Sequence, residues 1–179
     1  TRVVEKASDK ALLNEICESL GLPTITTSEI LLSTPDDAWG PALDAITFPA
    51  VIKPKDGGMD YGRLRFEGQR KAYSVETRGE ALETLTMIRE GGFMGTMLVQ
   101  DMVVGDDTYS WIASGYVDQA GTVTAKAMGR QVLGLHQASF IGNAGIIHVT
   151  DNPELREIAE SLIDRLGLRG FFAIDIKID

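Results

Sequence analysis

Lys53 closes a short apolar run, Phe48-Pro49-Ala50-Val51-Ile52-Lys53-Pro54, and Lys55-Asp56-Gly57-Gly58 follows at once. The β-branched residues fix the lysine on a rigid element, the prolines keep that element short, and the glycines let backbone N–H groups approach an anion. Such an arrangement holds phosphate. The chain as a whole is acidic, with 17 Lys+Arg against 26 Asp+Glu and a net charge of -9. Between Lys53 and Lys71 the sign reverses, because Lys53, Lys55, Arg63, Arg65, Arg70 and Lys71 outnumber Asp56, Asp60 and Glu67. A basic, glycine-bearing loop in an acidic protein suits a small polyanion such as a nucleotide, and the acidic balance argues against a nucleic-acid partner. A solvated hairpin with scattered charges accounts for the same spacing, and both readings stand. The glycines and mutually repelling arginines also predict that the segment from Lys55 to Arg70 is a mobile lid.

A second set of candidates lies at the end of the sequence. Ile174, Ile176 and Ile178 alternate with Asp175, Lys177 and Asp179, the period-two pattern of a strand with one apolar and one polar face. Asp175 and Asp179 are then about 13 Å apart, at ~3.3 Å per residue, too far to chelate one ion together. An antiparallel neighbour would bring another carboxylate within ~5 Å of Asp175, a spacing that suits magnesium. The plainer reading makes Asp175 and Lys177 the wet face of the strand. A final strand so well patterned suggests a piece of a longer protein.

The remaining reactive residue types point less sharply. His136 and His148 have no cysteine or carboxylate at ligand spacing. Cys17 is the one cysteine, sits on an apolar helix face and excludes a disulfide framework, which fits a reducing, cytoplasmic setting. No apolar run reaches the roughly 18 residues of a membrane span, and no signal-peptide pattern opens the chain.

The elements that must position these residues can be read from their punctuation. Ser8 caps a helix bearing Leu13, Ile16, Cys17 and Leu20 that Gly21 ends, and Thr34-Pro35 opens another through Trp39, Ala42, Leu43 and Ile46. Thr77-Arg78-Gly79-Glu80 is a capping box leading to Leu82, Leu85 and Ile88. Asn152-Pro153 starts the last helix, whose stripe of Leu155, Ile158, Ala159, Leu162, Ile163 and Leu166 stops at Gly167. Strands are expected near 50–53, 71–75, 96–101, 108–117, 122–129 and 170–178, with a turn at Asp118-Gln119-Ala120-Gly121 and a long loop after Arg130. Strands joined by tight turns mean antiparallel pairing, so the fold class is α+β. No Gly-x-x-x-x-Gly-Lys-Ser/Thr occurs, which excludes a P-loop.

The succession Asp9-Lys10, the run through Lys53, Gly57-Gly58, Met97-Leu98-Val99-Gln100-Asp101-Met102-Val103-Val104-Gly105, and Gly170-Phe171-Phe172-Ala173-Ile174-Asp175-Ile176-Lys177-Ile178-Asp179 resembles the ATP-grasp superfamily. It looks most like the carbamoyl-phosphate-synthase-like and carboxylate-amine ligase branches. The resemblance implies two α+β subdomains with largely antiparallel sheets gripping ATP between them. Along the chain these would be a leading helix over 1–23, a small subdomain with the phosphate lid over 24–101, and a larger subdomain over 102–179, incomplete at its end. It implies an enzyme that uses ATP and Mg2+ to activate a carboxylate as an acylphosphate, which an amine or similar nucleophile then attacks. A homo-oligomer of the full-length protein is compatible with it. A nucleotide-binding regulatory module or a phosphate-transfer domain remains the alternative.

Residue by residue, the resemblance gives Lys53 the α-phosphate and adenine edge, and Lys10 the phosphates. Gly57 and Gly58 would close over the phosphates. Gln100, Asp101, Met102 and Val103 would form the linker that reads the adenine edge, Asp107 would take the ribose, and Asp175 would be the first magnesium-binding carboxylate. Arg130 would contact acceptor or phosphate. On pattern alone, Lys10 and Arg130 are surface charges, Gln100 and Asp101 strand-exit residues, and Asp106-Asp107 a turn. The sequence departs from the family in its sparse glycine loop and in the basic insertion Gly62-Arg63-Leu64-Arg65. The second magnesium carboxylate of the family falls on a strand beyond Asp179, so this stretch alone is expected to be inactive.

Overall fold

The computed structural model describes residues 10–55, 60–137, 140 and 142–178. The chain divides into two compact units. One comprises residues 25–103 with 135–143, and the other comprises residues 1–24, 104–134 and 144–179.

The unit formed mainly by residues 25–103 is a four-stranded antiparallel sheet backed by helices. Its strands are β1 (Thr27–Leu31), β2 (Ala50–Pro54), β3 (Tyr73–Val75) and β4 (Thr96–Asp101), in the order β1-β4-β2-β3. Alternation along β2 buries Ala50, Ile52 and Pro54 and leaves Val51 and Lys53 half-buried. The buried face packs with Val99, Met97, Trp39, Leu43, Leu85 and Ile88 in one apolar core. Helix α3 (Arg78–Glu90) starts as its capping box dictates, with the Thr77 hydroxyl accepting from Glu80 N–H at 3.2 Å. In return, the Glu80 carboxylate accepts Glu76 N–H, one residue before the cap, at 2.8 Å.

One expectation fails here for a physical reason. The helix read from Thr34-Pro35 through Ile46 is instead a 3-10 turn (Asp36–Trp39) followed by a five-residue helix α2 (Gly40–Asp44). Pro41 lacks an N–H and crowds the carbonyl four residues back, so a continuous helix cannot form. Over residues 60–70 the basic segment after β2 makes several packing and hydrogen-bond contacts. Tyr61 is buried and meets Phe66 and Phe93 edge to face at 5.9 and 5.2 Å. Its hydroxyl lies 2.5 Å from that of Tyr73, which also accepts Arg70 N–H at 2.9 Å, and Gln69 Nε2 donates to the Tyr61 carbonyl at 2.9 Å. Burial, then the bond to Tyr73, pushes the Tyr61 hydroxyl far above its ordinary titration range. Tyr73→Phe would remove the hydroxyl that bonds both Arg70 N–H and the Tyr61 hydroxyl and is expected to lower stability by about 1–2 kcal/mol, measured by urea unfolding.

The other unit holds β5 (Ser110–Val117), β6 (Val123–Gly134), β7 (Ala144–Val149) and β8 (Gly170–Lys177), an antiparallel sheet in the order β7-β6-β5-β8. Helix α4 (Pro153–Leu166) lies over one face, with Leu155 and Ala159 buried against Ala113 and Met128 and flanked by Trp111, Ile174 and Ile176. Asn152 caps it through Leu155 N–H, and Gly167 ends it at φ 65°, where a side chain would be strained. Helix α1 (Lys10–Ser19) belongs to this unit and contacts α4. Gly21 ends α1 at φ 68°, with Leu22 N–H returning to the Cys17 carbonyl. The expected cap Ser8 lies outside the described residues.

The mixture of helices and antiparallel sheets matches the α+β expectation. Strands β1 and β7 were not expected. Both are sheet edges, and every residue of β7 is exposed, so neither carries the alternation that burial imposes on inner strands. Among the described residues, no helix is long and apolar enough to cross a membrane.

Candidate functional site

In the first unit, antiparallel register sets Lys53 opposite Leu98 and Val51 opposite Gln100. Opposed residues share a face, so Lys53 and Gln100 are diagonal neighbours on the side of the sheet away from the Ile52–Val99 core, with Cα atoms ~7–8 Å apart. A cation held on a strand beside a polar amide fits a phosphate-bearing ligand lying along β2. Gln100 is 6% exposed and its amide donates to the Thr27 hydroxyl of β1 at 2.8 Å. The Asp101 carboxylate accepts Thr47 N–H at 2.8 Å, Asp101 N–H donates to the Thr26 carbonyl, and Met102 N–H donates to the Pro49 carbonyl, both at 3.0 Å. Three of the four linker residues are thus tied to the protein. Among the described residues, Val103 N–H makes no such backbone bond. Lys10 opens α1, but its side chain lies outside the described residues, as do Gly57 and Gly58.

In the second unit, the turn Gly105–Tyr109 is stapled to two strands. The Asp107 carboxylate accepts Gly134 N–H from the end of β6 at 2.6 Å, and a Cβ on Gly134 would meet Asp107 Oδ1 at 2.8 Å, so a larger residue there would force that carboxylate to shift. Arg130 Nε donates to the Thr108 carbonyl at 2.6 Å, and Lys177 Nζ to the Gly105 carbonyl at 3.3 Å. Asp106 accepts the N–H and hydroxyl of Thr108 at 2.8 and 2.7 Å. The Thr108 hydrogen bonds, then the Arg130 and Lys177 charges, hold the Asp106 carboxyl below the ordinary aspartate range. A lowered value means that this cap is complete above that range and is lost as pH falls through the depressed value.

Asp175 is exposed on β8 and registers with Ile112, which registers in turn with Gly129. Arg130 registers with Trp111 and through it with Ile176, the side that packs toward α4. Arg130 and Asp175 therefore project from opposite faces of one sheet. The sequence reading named both without that separation, which only the register of three strands reveals. Thr27 and Gly134 escaped it because each acts through a partner remote in sequence.

Among the described residues, no three His, Cys, Asp or Glu side chains converge to hold a metal. Asp175 offers one carboxylate on an open face. That fits a magnesium that draws its remaining ligands from phosphate and water, and does not fit a cage built from these side chains alone. The second unit also contains a cavity of ≈ 360 Å³ walled by Met128, Ala159, Ile163 and Phe172, and none of the candidate residues lines it.

No protein-family profile matches the sequence. The chain is 29% identical over 179 residues to D-aspartate ligase of Enterococcus faecium (strain Aus0004), covering 98% of this chain and 41% of that protein. Among solved structures it is similar to carboxyaminoimidazole ribonucleotide synthase from Aspergillus clavatus complexed with ATP, with a TM-score of 0.67 at 12% identity over 98% of this chain and 42% of that one. It is likewise similar to D-alanine–D-alanine ligase from Bacillus anthracis complexed with ATP, with a TM-score of 0.59 at 16% identity over 97% of this chain and 53% of that one. The chain thus spans about two fifths of the curated relative that it matches.

Proposed function

We propose that this chain, which has the ATP-grasp fold, is the nucleotide-binding part of an ATP-dependent carboxylate–amine ligase. The observation that carries the reading is a likeness along 98% of the chain to a D-aspartate ligase, joined to a strand-borne lysine on the sheet face that also bears Gln100. Bound ATP supplies the phosphoryl group that turns a carboxylate into an acylphosphate, from which an amine displaces phosphate.

The chain's own residues bind and orient. Lys53 holds the phosphates by charge from a rigid strand, where it loses little freedom on binding. Lys10, Gly57 and Gly58 complete the phosphate contacts. Val103 N–H meets the adenine edge, within a linker that Gln100, Asp101 and Met102 fix in place, and Asp107 takes the ribose. Asp175 would hold Mg2+ together with phosphate oxygens. Two of the similar proteins are ligases named for D-amino acids, so a D-amino acid is the first carboxylate to supply. The reading places the protein in the cytoplasm, where ATP is available.

The test is ADP release by the full-length protein over a panel of amino-acid carboxylates and amines. Release that requires both a carboxylate and an amine is expected. ATP binding with no release under any pair would favour a nucleotide-binding regulatory module.

A further inference from the structure

We infer that Arg130 is a positioning residue, which holds the Gly105–Tyr109 turn through the Thr108 carbonyl and touches no phosphate of the nucleotide. The inference rests on the reading that Asp107 in this turn takes the ribose. Arg130 leaves β6 on the face that packs toward α4, opposite to the face of Asp175. Its Nε donates at 2.6 Å to Thr108, the residue that follows Asp107. The remaining tethers come from elsewhere: Gly134 N–H to the Asp107 carboxylate, Lys177 to the Gly105 carbonyl and Ile178 N–H to the Tyr109 carbonyl at 3.1 Å. Each fixes one residue of the turn, and among the described residues the Arg130 bond is the one that fixes Thr108 to the sheet. A guanidinium donates in a fixed plane from a stem stiffened by the strand, which an ammonium cannot reproduce.

The two roles make opposite demands on binding. A phosphate contact would matter more with every phosphate added. A turn held in register for the ribose would matter equally for AMP, ADP and ATP, and only while the hydroxyls are present.

The test measures dissociation constants of AMP, ADP, ATP and 2′-deoxyATP for the full-length protein and for Arg130→Ala and Arg130→Lys, together with amide exchange at residues 106–110. Arg130→Ala is expected to weaken AMP, ADP and ATP by the same factor, about tenfold, and to erase most of the preference for ATP over 2′-deoxyATP. Arg130→Lys should not restore that preference, and exchange at Thr108–Ser110 should quicken in both variants. A loss that grows from AMP to ATP, full rescue by lysine, or an intact preference for the ribose hydroxyl would overturn the inference. Wild-type protein that binds none of these nucleotides would refute the proposed function instead, and unchanged exchange at the turn would then still refute the anchor.

Discussion

Lys53→Met is expected to weaken ATP binding by at least about tenfold, as measured by calorimetry on the full-length protein. Methionine keeps the length of the stem and removes the charge. A hydrogen bond to a charged group contributes roughly 1.5–3 kcal/mol, and each 1.4 kcal/mol is a factor of ten in affinity. The strand makes the loss hard to recover. Lys53 stands between Ile52, which is fully buried, and Pro54, also buried, and β4 pairs with it at Leu98, so the backbone cannot shift to bring another cation into its place. Lys55 is directed elsewhere, 2.6 Å from the Glu29 carboxylate. An unchanged affinity would remove Lys53 from the site.

Asp175→Asn is expected to raise the magnesium concentration needed for half-maximal ADP release by at least about tenfold, while ATP binding without metal stays as in the wild type. Replacing a carboxylate by an amide of the same shape removes the charge that a hard cation seeks and leaves the strand intact. Asp175 is exposed and lies outside the Ala113–Met128–Leu155 core, so the substitution disturbs no packing. A magnesium titration that superimposes on the wild-type curve would show Asp175 to be the wet face of β8 and nothing more.

What the sequence shows of this fold follows the range of the signals. Caps are local: Thr77 with Glu80, Asn152 with Pro153, and Gly167 at positive φ act within a few residues, and the helices begin and end where those residues say. That Lys53 closes a strand is equally legible from the β-branched run before it, whereas its face shows only in the burial alternation of β2. Strand β1 is different. Its sequence Thr-Ser-Glu-Ile-Leu has no alternating pattern, and pairing with β4, some 70 residues on, holds it in place, with Gln100 opposite Thr27. The opposed faces of Arg130 and Asp175 are hidden for the same reason, because they depend on the register of β6, β5 and β8 together. In the arm at 60–70 the charges of Arg63 and Arg65 dominate the sequence, and the packing of Tyr61 with Phe66 and Phe93 is legible only once the chain is folded.

The most direct measurement of the central claim follows oxygen. With the full-length protein, ATP, an amine and a carboxylate substrate labelled with 18O in both oxygens, acylphosphate formation transfers one carboxylate oxygen to the phosphoryl group. When the amine displaces phosphate, that label leaves with it. One 18O atom per inorganic phosphate released, in step with ADP formation and absent without the carboxylate, is the predicted result. Inorganic phosphate that carries no carboxylate oxygen while ADP accumulates would contradict it.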